Sequence, residues 1–110
     1  MIENDQYIVV LVTAKDSDEA RKIARGLLDE KLIACANMIG NIQSIFLWQG
    51  KIEEAGEVLL VLKTRRELFD QVVLKVKSLH SYDTPEIIAI PVIAGNSDYL
   101  KWIDSSVSSK

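Results

Sequence analysis

The sequence predicts an α+β domain of the ferredoxin-like type, with element order βαββαβ and a short C-terminal helix. Three observations carry this. Two β-branched apolar runs, Tyr7–Thr13 (YIVVLVT) and Val58–Leu62 (VLLVL), read as central strands. Two segments have apolar residues at helical spacing, one after each central run. A long apolar stretch, Ile33–Trp48, leads through Gln49-Gly50 directly into the second run, as in a β-hairpin. Two split βαβ units with right-handed crossovers then interleave into an antiparallel sheet of spatial order 4-1-3-2.

The elements follow in order. After the first strand, Asp16 and Glu19 have capping-box spacing at a helix start. Ala20, Ile23, Ala24, Leu27 and Leu28 form its apolar stripe, and it ends near Lys31. The second strand is interrupted at Gly40-Asn41, where a glycine in a strand pattern marks a bulge. The third strand returns from Lys51 to Lys63, with a second irregularity expected at Ala55-Gly56. Thr64-Arg65-Arg66-Glu67 reads as a capping box for the second helix, whose stripe is Leu68, Phe69, Val72, Val73, Val76 and Leu79. Glu86–Val92 is the last strand. Pro91 donates no ladder hydrogen bond, so the strand lies at an edge or ends there. Asn96 or Ser97 caps a final helix carrying Leu100, Trp102 and Ile103. The single domain spans 1–110, with its core over about 7–104 and a tail at 105–110 expected to fray.

Composition excludes several classes. A chain of 110 residues, 48% hydrophobic and 26% charged, is an ordinary globular domain able to bury a core unaided. One cysteine, Cys35, rules out an intrachain disulfide and a cysteine-cluster zinc site. A net charge of −3 argues against a nucleic-acid partner, because phosphate backbones demand a clustered basic face. The first residues lack a basic signal-peptide region, and no apolar run is long enough for a membrane helix. The expectation is a cytoplasmic protein with no membrane span.

Strand 2 raises a problem of its own. It is long, apolar and at an edge, and an exposed apolar edge templates aggregation unless covered. A typical strand pairing needs only about six residues, so the rest of the hairpin projects past the sheet. Another copy of the chain is expected to complete it in a closed homo-oligomer.

Candidate chemistry is sparse. Cys35 and His80 are the soft and imidazole donors that suit copper or zinc. The topology sets them at opposite corners of one protomer, leaving only a site between subunits. Cys35 also reads as a small buried hydrophobe, and His80 as a residue tied to a turn. Trp48, at the hairpin tip, reads as an interface anchor. Glu53 and Glu54 face opposite sides of a strand and cannot work as a pair. Lys63 is placed to pair with Glu57 or to hold an anion. No Ser-His-Asp set, metalloprotease motif or phosphate loop is present.

Five segments resemble the divalent-cation tolerance (CutA) family: Ala34–Asn37, Ser44–Glu54, Glu57–Thr64, His80–Ile87 and Gly95–Trp102. The resemblance runs from about Ile8 to Trp102. It implies a ferredoxin-like homotrimer, similar to PII signalling proteins, with a part in tolerance of copper and other divalent cations. It implies no required cofactor and at most weak copper or divalent-cation binding; with no catalytic constellation in the chain, the expectation is a non-enzymatic protein. The family's motif residues map onto Cys35, Trp48, Lys51, Glu57, Lys63, His80, Tyr82 and Trp102, around clefts between subunits. Cys35 and His80 are the candidate metal ligands among them, and His80 and Tyr82 are expected to face a neighbouring subunit. The chain departs from the pattern at Ser81, where the family often has proline, at Gly40-Asn41 in place of Pro-Gly, and at Phe46 in place of tyrosine. Two other readings share the fold. An acylphosphatase-like hydrolase needs an anion cradle after strand 1, where Ala14–Asp18 is acidic instead. An RNA-recognition domain needs stacking aromatics on the central strands, which offer only Tyr7.

Overall fold

The computed structural model describes residues 6–108. The elements are β1 (Tyr7–Ala14), α1 (Ser17–Asp29), β2 (Cys35–Trp48), β3 (Lys51–Arg65), a 3-10 turn (Arg66–Leu68), α2 (Phe69–Leu79), β4 (Ile87–Pro91) and α3 (Ser97–Ser106). The sheet order is β2-β3-β1-β4 with every pair antiparallel, the expected order read from its other edge. Among the described residues, no helix is long and apolar enough to cross a membrane.

The core lies between one face of the sheet and helices α1 and α2. Alternate residues of the central strands, Ile8, Val10 and Val12 with Val58, Leu60 and Leu62, bury against Ala20, Ile23 and Leu27 of α1 and Val72 and Val76 of α2. Asp16 caps α1, accepting from the Glu19 amide at 2.9 Å. Lys31, at φ 57°, ends it in a Schellman motif: its amide bonds the Leu28 carbonyl, and that of Leu32 bonds Leu27.

The capping box expected at Thr64 does not form. Thr64 is the last inward-facing residue of β3 and fully buried, and its hydroxyl donates to the Leu32 carbonyl at 2.7 Å. The chain enters α2 through the 3-10 turn instead, with Arg65 as an N-cap whose side chain makes no capping bond. The tail does not fray over 105–108 either. Helix α3 includes Ser105 and Ser106, Val107 packs into the core, and the Ser108 amide bonds the Lys31 carbonyl at 2.9 Å. Residues 109 and 110 lie outside the described residues.

The bulge in β2 forms as expected. Pairing passes from Ile39 opposite Leu59 to Ile42 opposite Glu57, so Gly40 and Asn41 together oppose Val58. Asn41 takes φ 61°, a left-handed conformation that Asn tolerates better than most side chains. The second irregularity, at Ala55-Gly56, is absent: those residues pair with Ser44 and Gln43 in unbroken register. Gln49 and Gly50, both at positive φ, make the I′-like turn that matches hairpin twist. Because β1 pairs with β3 only from Val58 onward, residues 42–57 form a two-stranded arm beyond the sheet. The molecule is accordingly long, 45 × 29 × 23 Å.

The sheet's second face has no helix along most of its length. Val9 and Leu11 of β1, Leu59 and Val61 of β3, and Ile88 and Ile90 of β4 sit side by side there. Helix α3 covers only one end, where Tyr7 donates to Asp104 at 2.8 Å and Arg65 pairs with the same carboxylate.

Replacing Asn41 by Val should destabilise the protein by about 1–2 kcal/mol, whereas Asn41→Gly should be near neutral, because only the β-branched residue resists the left-handed backbone. Chemical denaturation midpoints of the two variants check this; equal midpoints would show that the bulge conformation is not a constraint.

Candidate functional site

The joint between α2 and β4 lands on the end of β1 and is held there by side chains. His80 follows α2 in extended backbone. Its Nε2 lies 2.7 Å from the Thr13 carbonyl, and the Tyr82 amide lies 3.0 Å from its Nδ1. A carbonyl only accepts and an amide N–H only donates, so the ring is the neutral tautomer with its proton on Nε2. Its side chain is fully buried. Both nitrogens are therefore committed inside one protomer, and His80 faces no neighbour. Its role here is to tie the joint to β1.

Glu19 makes the second tie. Its Oε1 accepts from the Lys15 amide at 3.1 Å and its Oε2 from the Ser81 amide at 2.7 Å. Burial pushes this carboxyl's pKa up, but the bonds from Ser81 and Lys15 outweigh burial and leave it below the ordinary glutamate value. Glu19 thus stays charged while clamping the loop before α1 to the loop after α2. Sequence reasoning saw Glu19 only as a capping residue. Its Asp16-x-x-Glu19 spacing was the available signal, but nothing in the sequence marks Ser81 as the second donor.

Tyr82 carries the joint on to the arm. Its ring packs on His80 at 4.7 Å between centroids, and its hydroxyl donates to Glu57 Oε2 at 2.8 Å. Burial first, and then Glu57, push the phenol up to about 12. Glu57 is buried at the root of the arm, opposite Ile42. Beyond it the bulge has changed which residues of β2 share the face of Glu57. Phe46 and Trp48 point the same way as Glu53 and Glu57, rather than Ile45 and Leu47. An open groove of about 640 Å³ lies between this face of the arm and the Tyr82 loop, with Thr13 at its base.

The remaining predicted residues sit elsewhere. Cys35 pairs with Lys63 across the β2–β3 ladder, at the opposite end of the sheet. Lys63 Nζ lies 3.9 Å from Cys35 Sγ and bonds Asn37 Oδ1. Tyr99 of α3 reaches the same cysteine; burial and then Cys35 raise its pKa. Trp102 packs on Tyr99 at 5.4 Å. Lys51 stands at the arm tip opposite Trp48. The structure thus gathers Trp48, Glu57, His80 and Tyr82 at one end, and Cys35, Lys63 and Trp102 at the other. The pairing expected between Lys63 and Glu57 does not occur: they are about 20 Å apart along β3, and Tyr82 takes Glu57.

These positions decide the metal question within one protomer. His80 docks on Thr13 and Cys35 lies level with Val9, about 13 Å away along the strands. His80 has no free nitrogen lone pair. Among the described residues, no three of His, Cys, Asp and Glu converge to hold a metal ion. The donor set does not fit a chelated metal.

Comparison with known proteins agrees with the fold and adds a lineage. Residues 8–106 match the family model described as CutA1 divalent ion tolerance protein. A divalent-cation tolerance protein CutA of Archaeoglobus fulgidus is 47% identical over 98 residues, covering 89% of this chain and 95% of the relative. The chloroplastic CutA 1 of rice is 41% identical over 90% of this chain, which spans 56% of that relative's length. The solved divalent cation tolerance protein of Thermus thermophilus superposes with a TM-score of 0.91 at 40% identity, covering 93% of this chain and 99% of that one.

Replacing His80 by Ala should lower stability by roughly 2–3 kcal/mol, since it strands the Thr13 carbonyl and the Tyr82 amide. Calorimetric titration with copper and zinc should give the same weak binding for wild type and His80→Ala; a loss in the variant would restore His80 as a ligand. Glu19 adds a pH term. Its folded pKa lies below the unfolded value, so its stabilisation is present above about pH 4.5 and is lost as pH falls through the folded value. Glu19→Gln should flatten that part of the acid-stability curve, measured by thermal melting.

Proposed function

The chain belongs to the CutA1 divalent ion tolerance family, and from that premise we propose that it works as a non-enzymatic, PII-like homotrimer binding a small ligand in the groove beside its arm. The observation that carries the assembly is the uncovered apolar face of the sheet. Ile39, Ile88 and Ile90 are about half exposed there, and the far side of the arm exposes Ile45, Leu47 and Ile52 at 66–74%. Apolar surface on this scale marks an interaction site. A patch on one sheet face, with an arm reaching past it, suits a closed ring of identical copies. The number three comes from the family likeness. A neighbour packed on this face closes the open side of the groove and makes it a cleft between subunits.

The absence of enzymatic activity is supported by how the polar groups are used. The one histidine has both nitrogens engaged, and the Tyr82 phenol holds its proton to about 12. The amides of Lys15 and Glu19, in the loop where a hydrolase would cradle an anion, are taken by Glu19 and Asp16. The part in divalent-cation tolerance is then exerted through ligand binding and assembly. Copper or another divalent ion would need donors from more than one copy.

Light scattering at micromolar concentration should give three times the 12.3 kDa protomer mass. Ile88→Asp, a change on the exposed edge strand that leaves the core intact, should shift the protein toward monomer. A monomeric wild type would sink the assembly.

A further inference from the structure

We propose that His80 and Glu19 form a proton-operated latch on the Tyr82 loop. With His80 neutral the loop is fastened; a proton on Nδ1 passes the ring from the Tyr82 amide to the Glu19 carboxylate and releases the loop. The latch goes beyond the ligand and the assembly proposed above and rests on neither. Its working groups lie inside one protomer, the His80 side chain fully buried and that of Glu19 7% exposed. A neighbour on the sheet's bare face therefore leaves them as they are.

The first ground is how the loop is held. Residues 81–84 belong to no helix or strand. Among the described residues, no backbone–backbone hydrogen bond joins them to the rest of the chain. Side chains fasten them instead. The Ser81 amide donates to Glu19, the Tyr82 amide to His80 Nδ1, and the Tyr82 hydroxyl to Glu57. An imidazole that changes charge near neutral pH is thus one of three fastenings.

The second ground is that a second proton on the ring is incompatible with this arrangement. The neutral ring donates from Nε2 to the Thr13 carbonyl and accepts at Nδ1. An imidazolium donates from both nitrogens. Its Nδ1–H would then face the Tyr82 N–H, donor against donor in a buried place, which costs free energy. Glu19 Oε1, 3.9 Å from Nδ1, is the acceptor within reach. A movement of about 1 Å makes a charge-assisted hydrogen bond there. Its hydrogen bonds hold the Glu19 carboxyl below the ordinary glutamate value, so it is ionised wherever an imidazole titrates.

The third ground is the surroundings of the ring. Helix α1 and the loop before it bring Lys15, Asp16, Asp18, Glu19 and Lys22 to this side, while the end of α2 brings only Ser78 and Leu79, which are uncharged. Strand β1 brings the Thr13 carbonyl, and β3 brings Glu57, one tyrosine away. Of these, Glu19 lies against a ring nitrogen. An open pocket of about 440 Å³ between the start of α1 and the end of α2 brings solvent to the Glu19–His80 pair, on the helix side of the sheet. The released state carries one proton more than the fastened one, so acid favours release. The amide that lets go belongs to Tyr82, whose hydroxyl holds the root of the arm. Release therefore loosens the contact between the joint and the arm.

Heteronuclear NMR of the His80 ring nitrogens in the full-length protein, from about pH 8 to about pH 5 where imidazoles change charge, tests this. The ring should start as the Nε2–H tautomer and take up a proton while the protein stays folded. The Tyr82 amide resonance should move with the same midpoint. Its hydrogen-exchange protection should fall roughly fivefold to tenfold, the loss of one hydrogen bond, with the core amides of Val10 and Leu60 unchanged. Tyr82→Phe keeps the amide and should keep the step. Glu19→Gln removes the acceptor charge and should abolish the step short of global unfolding; if that variant does not fold, the wild-type titration decides by itself. A ring that stays neutral until the core amides lose protection would overturn the latch. So would a ring that takes the proton with the Tyr82 amide unmoved, or an unchanged step in folded Glu19→Gln. Light scattering over the same range keeps the assembly separate. A monomer showing the step removes the trimer and leaves the latch, and a trimer without the step does the reverse.

Discussion

One extra residue in β2 governs the arrangement. In a strand, side chains alternate with period two, so inserting one residue reverses the facing of everything beyond it. At Gly40-Asn41 two residues oppose Val58. Before that point Cys35, Asn37 and Ile39 share the uncovered face; beyond it Ile42, Ser44, Phe46 and Trp48 do. Without the bulge the arm would turn Ile45 and Leu47 toward the Tyr82 loop and Trp48 away from it. The groove's aromatic wall is thus a consequence of register. Its local cost is one asparagine held in the left-handed region.

The opposite wall depends on a different device. A loop between a helix and an edge strand is ordinarily mobile and variable. Here three ties hold it: Glu19 on the Ser81 amide, His80 between Thr13 and Tyr82, and Tyr82 on Glu57. They connect α1, β1, the joint and the root of the arm, so the loop is positioned against every element that flanks the groove. Glu19 matters most electrostatically. It is a buried carboxylate, and its several hydrogen bonds, rather than a basic partner, offset the cost of burial. Using amides and one neutral imidazole for this task leaves the site strongly negative.

The fold was legible in the sequence because its signals are local and periodic. The apolar alternation of the central strands, the stripes of Ala20–Leu27 and Leu68–Val76, the glycine at the bulge and Gln49-Gly50 at the turn each report their own geometry. Two of the misreadings share a cause. Thr64-x-x-Glu67 matches a capping box, but Thr64 lies on the buried face of β3, and the Leu32 carbonyl needed its hydroxyl more. The serine-rich tail looks frayed until Val107 is seen to fill the core. In both cases a long-range contact overrode a local pattern. The site was half legible. The family resemblance named Trp48, Glu57, His80 and Tyr82, and the topology set Cys35 at the opposite corner from His80, but nothing local showed that Glu19 joins the first group or that Lys63 turns to Asn37 instead of Glu57.

Histidine and cysteine invite a metal reading wherever they occur together in a short chain, and the structure shows why that reading weakens here. A ligand must have a lone pair free and neighbours that converge on the same point. His80 spends both nitrogens on backbone groups, while Cys35 lies beside a lysine ammonium, a neighbour that repels a metal cation. The carboxylates with no compensating base nearby gather at the groove, but on separate walls.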